Sequence, residues 1–166
     1  MSTIKIYITV LLFAFVLTSN SQEISKNVLG FRLGGGDGFG TEVSYQRGLS
    51  NNNRLEVDLG WKSNSDFDGF KLVGVYQWLW NLEGNFNWYA GAGGGAGNYD
   101  YDFRIGNERI RDSETFLLLA GQIGIEYNFD EVPIQLSLDT RPELGFGDFI
   151  DDLDFDIALG IRYRFK

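Results

Sequence analysis

The sequence predicts an all-β chain, an eight-stranded antiparallel up-and-down transmembrane β-barrel. Three observations carry that reading. Beyond the first 21 residues, apolar side chains recur at every second position, and no run repeats at the helical period. Short turns alternate with longer connections along the chain, as in a sheet threaded repeatedly through a bilayer. The face opposite the apolar one interleaves Gly, Ala, Ser and Gln with its charges, unlike the charged carpet of a soluble sheet.

Composition narrows the chemistry before any element is placed. The 166 residues include 22 Gly, 14 Phe, 8 Tyr and 4 Trp, but 2 Pro, no Cys and no His, with a formal charge of −9. Without Cys there is no disulfide framework, thiolate nucleophile or Cys-ligated metal. Without His there is no Ser-His-Asp triad, histidine metal site or histidine switch. The acidic balance argues against a nucleic-acid partner, which requires a basic footprint.

Residues 1–21 read as a signal peptide. Lys5 supplies the positive start, Ile6 to Leu17 is a largely apolar run of 12, and Thr18-Ser19-Asn20-Ser21 places small residues before a cut at Gln22. That run is too short for a membrane-spanning helix, which needs about 20 apolar residues. Residues 22–166 are the expected barrel domain; losing one Lys moves the charge to −10.

The strands are expected near 27–36, 39–48, 54–62, 69–80, 85–98, 114–128, 133–142 and 153–165. The first two are parted by a tight turn at Asp37-Gly38, and Ser50 to Asn53 turns the chain into the third. There Leu55, Val57, Leu59 and Trp61 oppose Glu56, Asp58, Gly60 and Lys62. A longer connection, Asn64 to Asp68, leads to the fourth strand, and Asn81 to Gly84 turns it into the fifth. The fifth carries NWYAGAGGGAG, whose Gly91, Gly93 and Gly95 share one face and suit a crowded bore. Tyr99 to Ser113 reads as a long loop before the sixth strand, which ends at the short turn Asp130 to Val132. In the seventh, Ile134, Leu136 and Leu138 oppose Gln135, Ser137, Asp139 and Arg141. After an acidic loop, Glu143 to Asp152, the last strand alternates most regularly. Phe155, Ile157, Leu159, Ile161, Tyr163 and Phe165 fall on one face, and Asp154, Asp156, Ala158, Gly160, Arg162 and Arg164 on the other. Strands of about 9–11 residues span a bilayer, so eight leave ample chain for seven connections.

An eight-stranded barrel could instead be soluble and lipocalin-like, with its apolar face inside. Two patterns favour lipid. Tyr76, Trp78, Trp80, Phe86, Trp88, Tyr127, Phe129, Tyr163 and Phe165 gather at one set of strand ends, as an interfacial girdle does. The inward face balances Arg32, Lys62, Lys71, Arg141, Arg162 and Arg164 against Glu42, Glu56, Asp58, Glu126, Asp139 and Asp156. Such pairing is what a dry interior needs, because an unpaired buried charge is very costly.

The NWYAGAGGGAG strand, the PIQLSLDTRPEL strand and the terminal ALGIRYRFK make the chain resemble small outer-membrane barrels of the OmpX/OmpA transmembrane-domain type, and the barrel-domain proteins of Bacteroidetes-like bacteria. The resemblance spans residues 22–166. It implies an outer-membrane address in a Gram-negative bacterium after secretion across the inner membrane, with both termini periplasmic. It also implies lipid and lipopolysaccharide as surroundings, and Gly160, Tyr163 and Phe165 as the assembly signal read by the barrel-assembly machinery. The family's chains end on the aromatic; here Lys166 follows it.

Other motifs read as structure. Gly91 to Ala96 loosely matches a dinucleotide fingerprint, but no helix follows. Asp66-Phe67-Asp68-Gly69 lacks the closing Glu of a calcium loop. The acidic set Asp148, Asp151, Asp152, Asp154 and Asp156 reads as a solvated loop, with divalent-cation binding as the functional counterpart. No cofactor is implied. Enzymatic barrels of this size use a His that this chain lacks. The expectation is a monomeric, non-catalytic envelope protein with a closed, salt-bridged lumen and a structural or surface-interaction role. A narrow conduit for small or hydrophobic solutes is one alternative, and a soluble ligand-binding barrel the other.

Overall fold

Backbone pairing closes on itself. The computed structural model describes residues 24–35, 39–64, 67–105, 108–146 and 153–165. Its strands are β1 (Asn27–Leu33), β2 (Thr41–Gly48), β3 (Asn53–Asn64), β4 (Phe67–Glu83), β5 (Phe86–Ile105), β6 (Glu108–Asn128), β7 (Ile134–Phe146) and β8 (Leu153–Phe165). Each pairs antiparallel with its sequence neighbour, and β1 pairs with β8 from Asn27↔Phe165 to Leu33↔Leu159. The result is a closed, all-β, eight-stranded up-and-down barrel, with no helix among the described residues. Closure leaves the barrel wall no free edge, so the backbone groups of the wall are satisfied within the sheet. The expected signal peptide lies outside the described residues.

The two ends differ. At the end carrying both termini, the connections are short: Leu49 N and Ser50 N donate to Asn53 O, and Phe129 N donates to Ile134 O. Gly84 occupies the tightest of these turns at φ +52, a left-handed conformation that a Cβ would strain. Asn81 Nδ2 pins the turn by donating to Gly84 O at 2.9 Å.

At the opposite end, three expected loops are strand in part, Asn64, Phe67 and Asp68 being paired between β3 and β4. Residues 99–105 and 108–113 continue β5 and β6 as an antiparallel pair, without a break from Asn98↔Thr115 to Ile105↔Glu108. Period-two apolar alternation marks only the stretch whose two faces are the outer wall and the lumen. Beyond that stretch Asp100, Asp102, Arg109 and Arg111 erase the pattern while the ladder continues. β7 likewise runs past Pro142 to Phe146. Proline lacks an N–H, and the β6–β7 ladder skips that position, passing from Ile123↔Thr140 to Ala120↔Glu143.

Which face points where is settled by exposure. Trp61, Leu138, Ile157, Leu159 and Ile161 lie outside, Ile157 being 67 % exposed, and half-buried Leu136 shares that face. Glu56, Asp139 and Arg162 lie inside and are almost fully buried. This is the reverse of a soluble barrel, whose apolar face is its interior.

Candidate functional site in the barrel lumen

The lumen has a polar sector and an apolar one, and β4 and β6 contribute side chains to both. β1, β2, β3, β7 and β8 alternate outward apolar residues with a largely polar inward set, interspersed with small residues such as Gly30, Gly60, Ala158 and Gly160. Arg32, on β1, is fully buried. Its Nη1 donates to Glu42 Oε2 at 2.9 Å and to Asp156 Oδ2 at 2.5 Å, and its Nη2 to Asp139 Oδ1 at 2.6 Å. Arg141, on β7, donates to Asp58 Oδ2 at 2.8 Å, Glu42 Oε1 at 2.6 Å and Glu143 Oε1 at 2.7 Å. Lys71 Nζ lies 3.0 Å from Glu143 Oε2 and 3.5 Å from Glu42 Oε1. Glu42 therefore joins three cations from three strands.

A second chain of contacts runs from there toward the termini. Arg162 donates to Ser44 Oγ, Ser137 Oγ and Glu56 Oε2 at 2.9, 2.6 and 3.2 Å. Glu56 also accepts from Gln46 and, at 2.9 Å, from Gln122 Nε2. Gln122 Oε1 accepts from Gln77 Nε2 at 2.8 Å, and Gln77 Oε1 accepts from Arg54 Nε at 2.5 Å. Arg54 Nη1 closes the series on Glu126 Oε2 at 2.6 Å. Tyr89 crosses the lumen beneath these groups, donating its hydroxyl to Asp139 Oδ2 at 3.2 Å while Arg54 lies over its ring.

The apolar sector is formed where β5 contributes no side chains. Gly91, Gly93, Gly95 and Gly97 face Val73 and Val75 of β4 and Phe116, Leu118 and Ala120 of β6, all buried. A Cβ on Gly97 would stand 2.3 Å from Phe116 Cζ, so the glycine makes room for the ring. Phe39, from the β1–β2 connection, completes this cluster. It stacks on Tyr99 at 5.6 Å, Tyr99 stacks on Phe116 at 4.8 Å, and Lys71 lies over the Phe39 ring. The far end of the lumen is thus stoppered by three stacked rings. At the termini end the lumen widens into a cavity of about 210 Å³.

Several expected positions fall elsewhere. Lys62 and Arg164 keep the inward parity but lie at the two rims, half-buried. Arg164 Nη2 donates to the carbonyls of Phe129 and Val132, tying down the β6–β7 turn. Arg54 and Glu143 take their places in the buried set, which among the described residues holds five cations and seven carboxylates rather than six of each. Both are in phase with inward neighbours, Glu56 and Arg141, but fell at expected strand boundaries, where lumen and rim cannot be told apart from the sequence. Asp156 joins Arg32, Asp154 is exposed, and Asp148, Asp151 and Asp152 lie outside the described residues. No metal-binding group of His, Cys, Asp or Glu occurs among the described residues.

The aromatic positions share one surface. Trp78, Phe86, Tyr163 and Phe165 are exposed on the outer wall near the termini end, and Tyr76, Trp80, Trp88, Tyr127 and Phe129 are partly covered by one another. Trp80 stacks on Trp88 at 4.3 Å, and Tyr127 packs against both Phe86 and Phe129. Tyr163 and Phe165 meet edge to face at 5.0 Å. Gly160 faces inward, where a Cβ would stand 2.1 Å from Arg162 Nη1. Its missing side chain makes room for that guanidinium.

No protein-family model matches the chain, and no curated protein does. Solved structures do. The N-terminal β-barrel domain of Pseudomonas aeruginosa OprF superposes with a TM-score of 0.58 at 14 % identity, covering 85 % of this chain and 98 % of that one. Neisserial surface protein A gives 0.58 at 16 %, covering 84 % and 94 %. Ail, the attachment invasion locus protein of Yersinia pestis, gives 0.55 at 16 %, covering 85 % and 97 %. This chain shares their fold. At such identities the likeness concerns the backbone, and the lumenal constellation is read from this chain's own residues.

Proposed function

We propose that the chain is a non-catalytic outer-membrane barrel, closed to solute flow, that holds the β5–β6 hairpin above the membrane as an interaction surface. The termini end, with its short turns and aromatic girdle, faces the periplasm. The observation that carries this reading is the combination of an apolar outer wall with a lumen filled by paired charge. Apolar rings and aliphatic side chains left in water on this scale would be an aggregation hazard, whereas in hydrocarbon they are matched to their solvent. Eight strands enclose an interior that side chains can fill, and here Arg32, Arg141, Arg162 and the Phe39 stack fill it. Their fold likeness to OprF, Neisserial surface protein A and Ail supports the same address. The absence of His and Cys from the sequence leaves the lumen without a nucleophile–base pair of the usual kind.

The β5–β6 hairpin supports the surface role. Roughly half of each strand exceeds the length that a tilted strand needs to cross a bilayer, and the excess lies at the end away from the termini. Planar-bilayer recording of the detergent-extracted protein tests the closed lumen. Silence at steady voltage is expected, and a sustained open conductance of porin size would replace this reading with the conduit.

A further inference from the structure

The cavity at the termini end of the lumen has lining chemistry that the closed-barrel reading does not use. It measures about 210 Å³, room for about seven waters or one small solute. It is blind, because the hydrogen-bonded chain from Arg54 to Arg162 and the Phe39 stack close the lumen beyond it. Ile24 and Asp130, at its mouth, mark it as opening where the termini lie.

Four lining residues hold buried polar atoms that no hydrogen bond within the chain satisfies. Glu126 Oε2 is ion-paired with Arg54 Nη1, which leaves three, Arg54 Nη2, Arg164 Nε and Gln135 Oε1. Arg54 and Gln135 are 1 % and 2 % exposed. Buried polar atoms in folded proteins are almost always partnered, and guanidinium donors most of all. Two of these atoms are cationic donors, complementary to a carboxylate. The third is an acceptor, complementary to an ammonium, and the carboxylates of Glu126 and Asp130 share its wall. The four charged lining groups are two Arg, one Glu and one Asp, which sum to zero. A net anion or cation would unbalance this cavity, whereas a molecule carrying both charges would not.

We propose that this pouch is a binding site for a small zwitterion, an α-amino carboxylate of alanine size. Its carboxylate is held by Arg54 and Arg164 and its ammonium by Gln135 and the neighbouring acids. The site goes beyond the proposed surface role and, given the proposed orientation, is filled from the periplasm.

The test titrates alanine into the isotopically labelled, detergent-extracted protein and follows amide shifts of β3, β6 and β7. Saturable shifts centred on Arg54, Glu126 and Gln135 are expected. Alaninamide, which lacks the carboxylate, and N-acetylalanine, which lacks the ammonium, should bind about 10-fold or more weakly, as loss of a charge-assisted contact implies. N-acetylalanine also stands in for a peptide C-terminus, so its binding as well as alanine would overturn the zwitterion assignment. Arg54→Gln removes the buried donor, and Arg164→Gln, at the half-buried rim, and Gln135→Leu guard against misfolding of that variant. Each should weaken alanine about 10-fold while the folded barrel keeps its faster gel mobility before heating. Shifts that never saturate, or unchanged affinity in all three variants, would overturn the pouch and leave the barrel intact. Loss of that mobility difference in the unsubstituted protein would instead overturn the barrel reading, and the pouch with it.

Discussion

Arg32 shows how much one side chain can organise. Its guanidinium meets carboxylates from β2, β7 and β8, so strands remote in sequence are joined at one point. Removing a partner from a buried ion pair leaves uncompensated charge and typically costs about 3–5 kcal/mol. Arg32→Met should therefore lower the unfolding free energy measured by urea titration by that order, because Glu42, Asp139 and Asp156 lose a shared cation. Lys62→Met, at the rim, should change stability by less than about 0.5 kcal/mol. Most of the lumenal set could be read from the sequence because strict alternation assigns a face to any residue in mid-strand. Arg54 and Glu143 could not, since both sit where the turn chemistry of Asn51 to Asn53 or the acidic run after Pro142 hides where lumen gives way to rim. The partner of each charge was not legible at all. Glu42 meets Arg141 across 99 positions of sequence, a contact that only closure of the barrel creates.

At the scale of the element, β5 and β6 unite two physical regimes in one ladder. Their lower halves trade side chains for space, a row of glycines against Val73, Val75, Phe116 and Leu118. Gly97→Val would drive a side chain into Phe116 and into the backbone of Phe70, and overpacking of this kind costs about 1–3 kcal/mol. It should also loosen the ring stack, read as increased chymotryptic cleavage at Phe39. The upper halves continue as a hairpin with no partner strand on the β7 side among the described residues, where β6–β7 pairing runs as far as Leu117↔Phe146. Replacing residues 101–112 with a two-residue turn should leave the barrel folded, read by the same mobility shift on heating, because no lumenal contact described above depends on them. The strand count was legible because each membrane-length segment repeats the same period. The hairpin extension was not, because polar residues on both faces read as loop even where backbone pairing persists.

At the scale of the whole molecule, closure and inversion are one statement. A sheet without edges satisfies its backbone, an inward polar set satisfies its charges, and the remaining aliphatic and aromatic surface asks for hydrocarbon. The sequence's lack of Cys makes this directly measurable, since any cysteine introduced is unique. In protein reconstituted into vesicles, Ile157→Cys, Leu159→Cys and Ile161→Cys sit on the outer wall, with Ala158→Cys facing the lumen between them as the control. A fluorophore at 157, 159 or 161 should be quenched by lipids brominated on their acyl chains, while position 158 resists both quenching and labelling until the barrel is unfolded. Free reaction of 157, 159 and 161 with a water-soluble maleimide, without quenching by brominated lipid, would contradict a barrel whose apolar wall lies in the membrane.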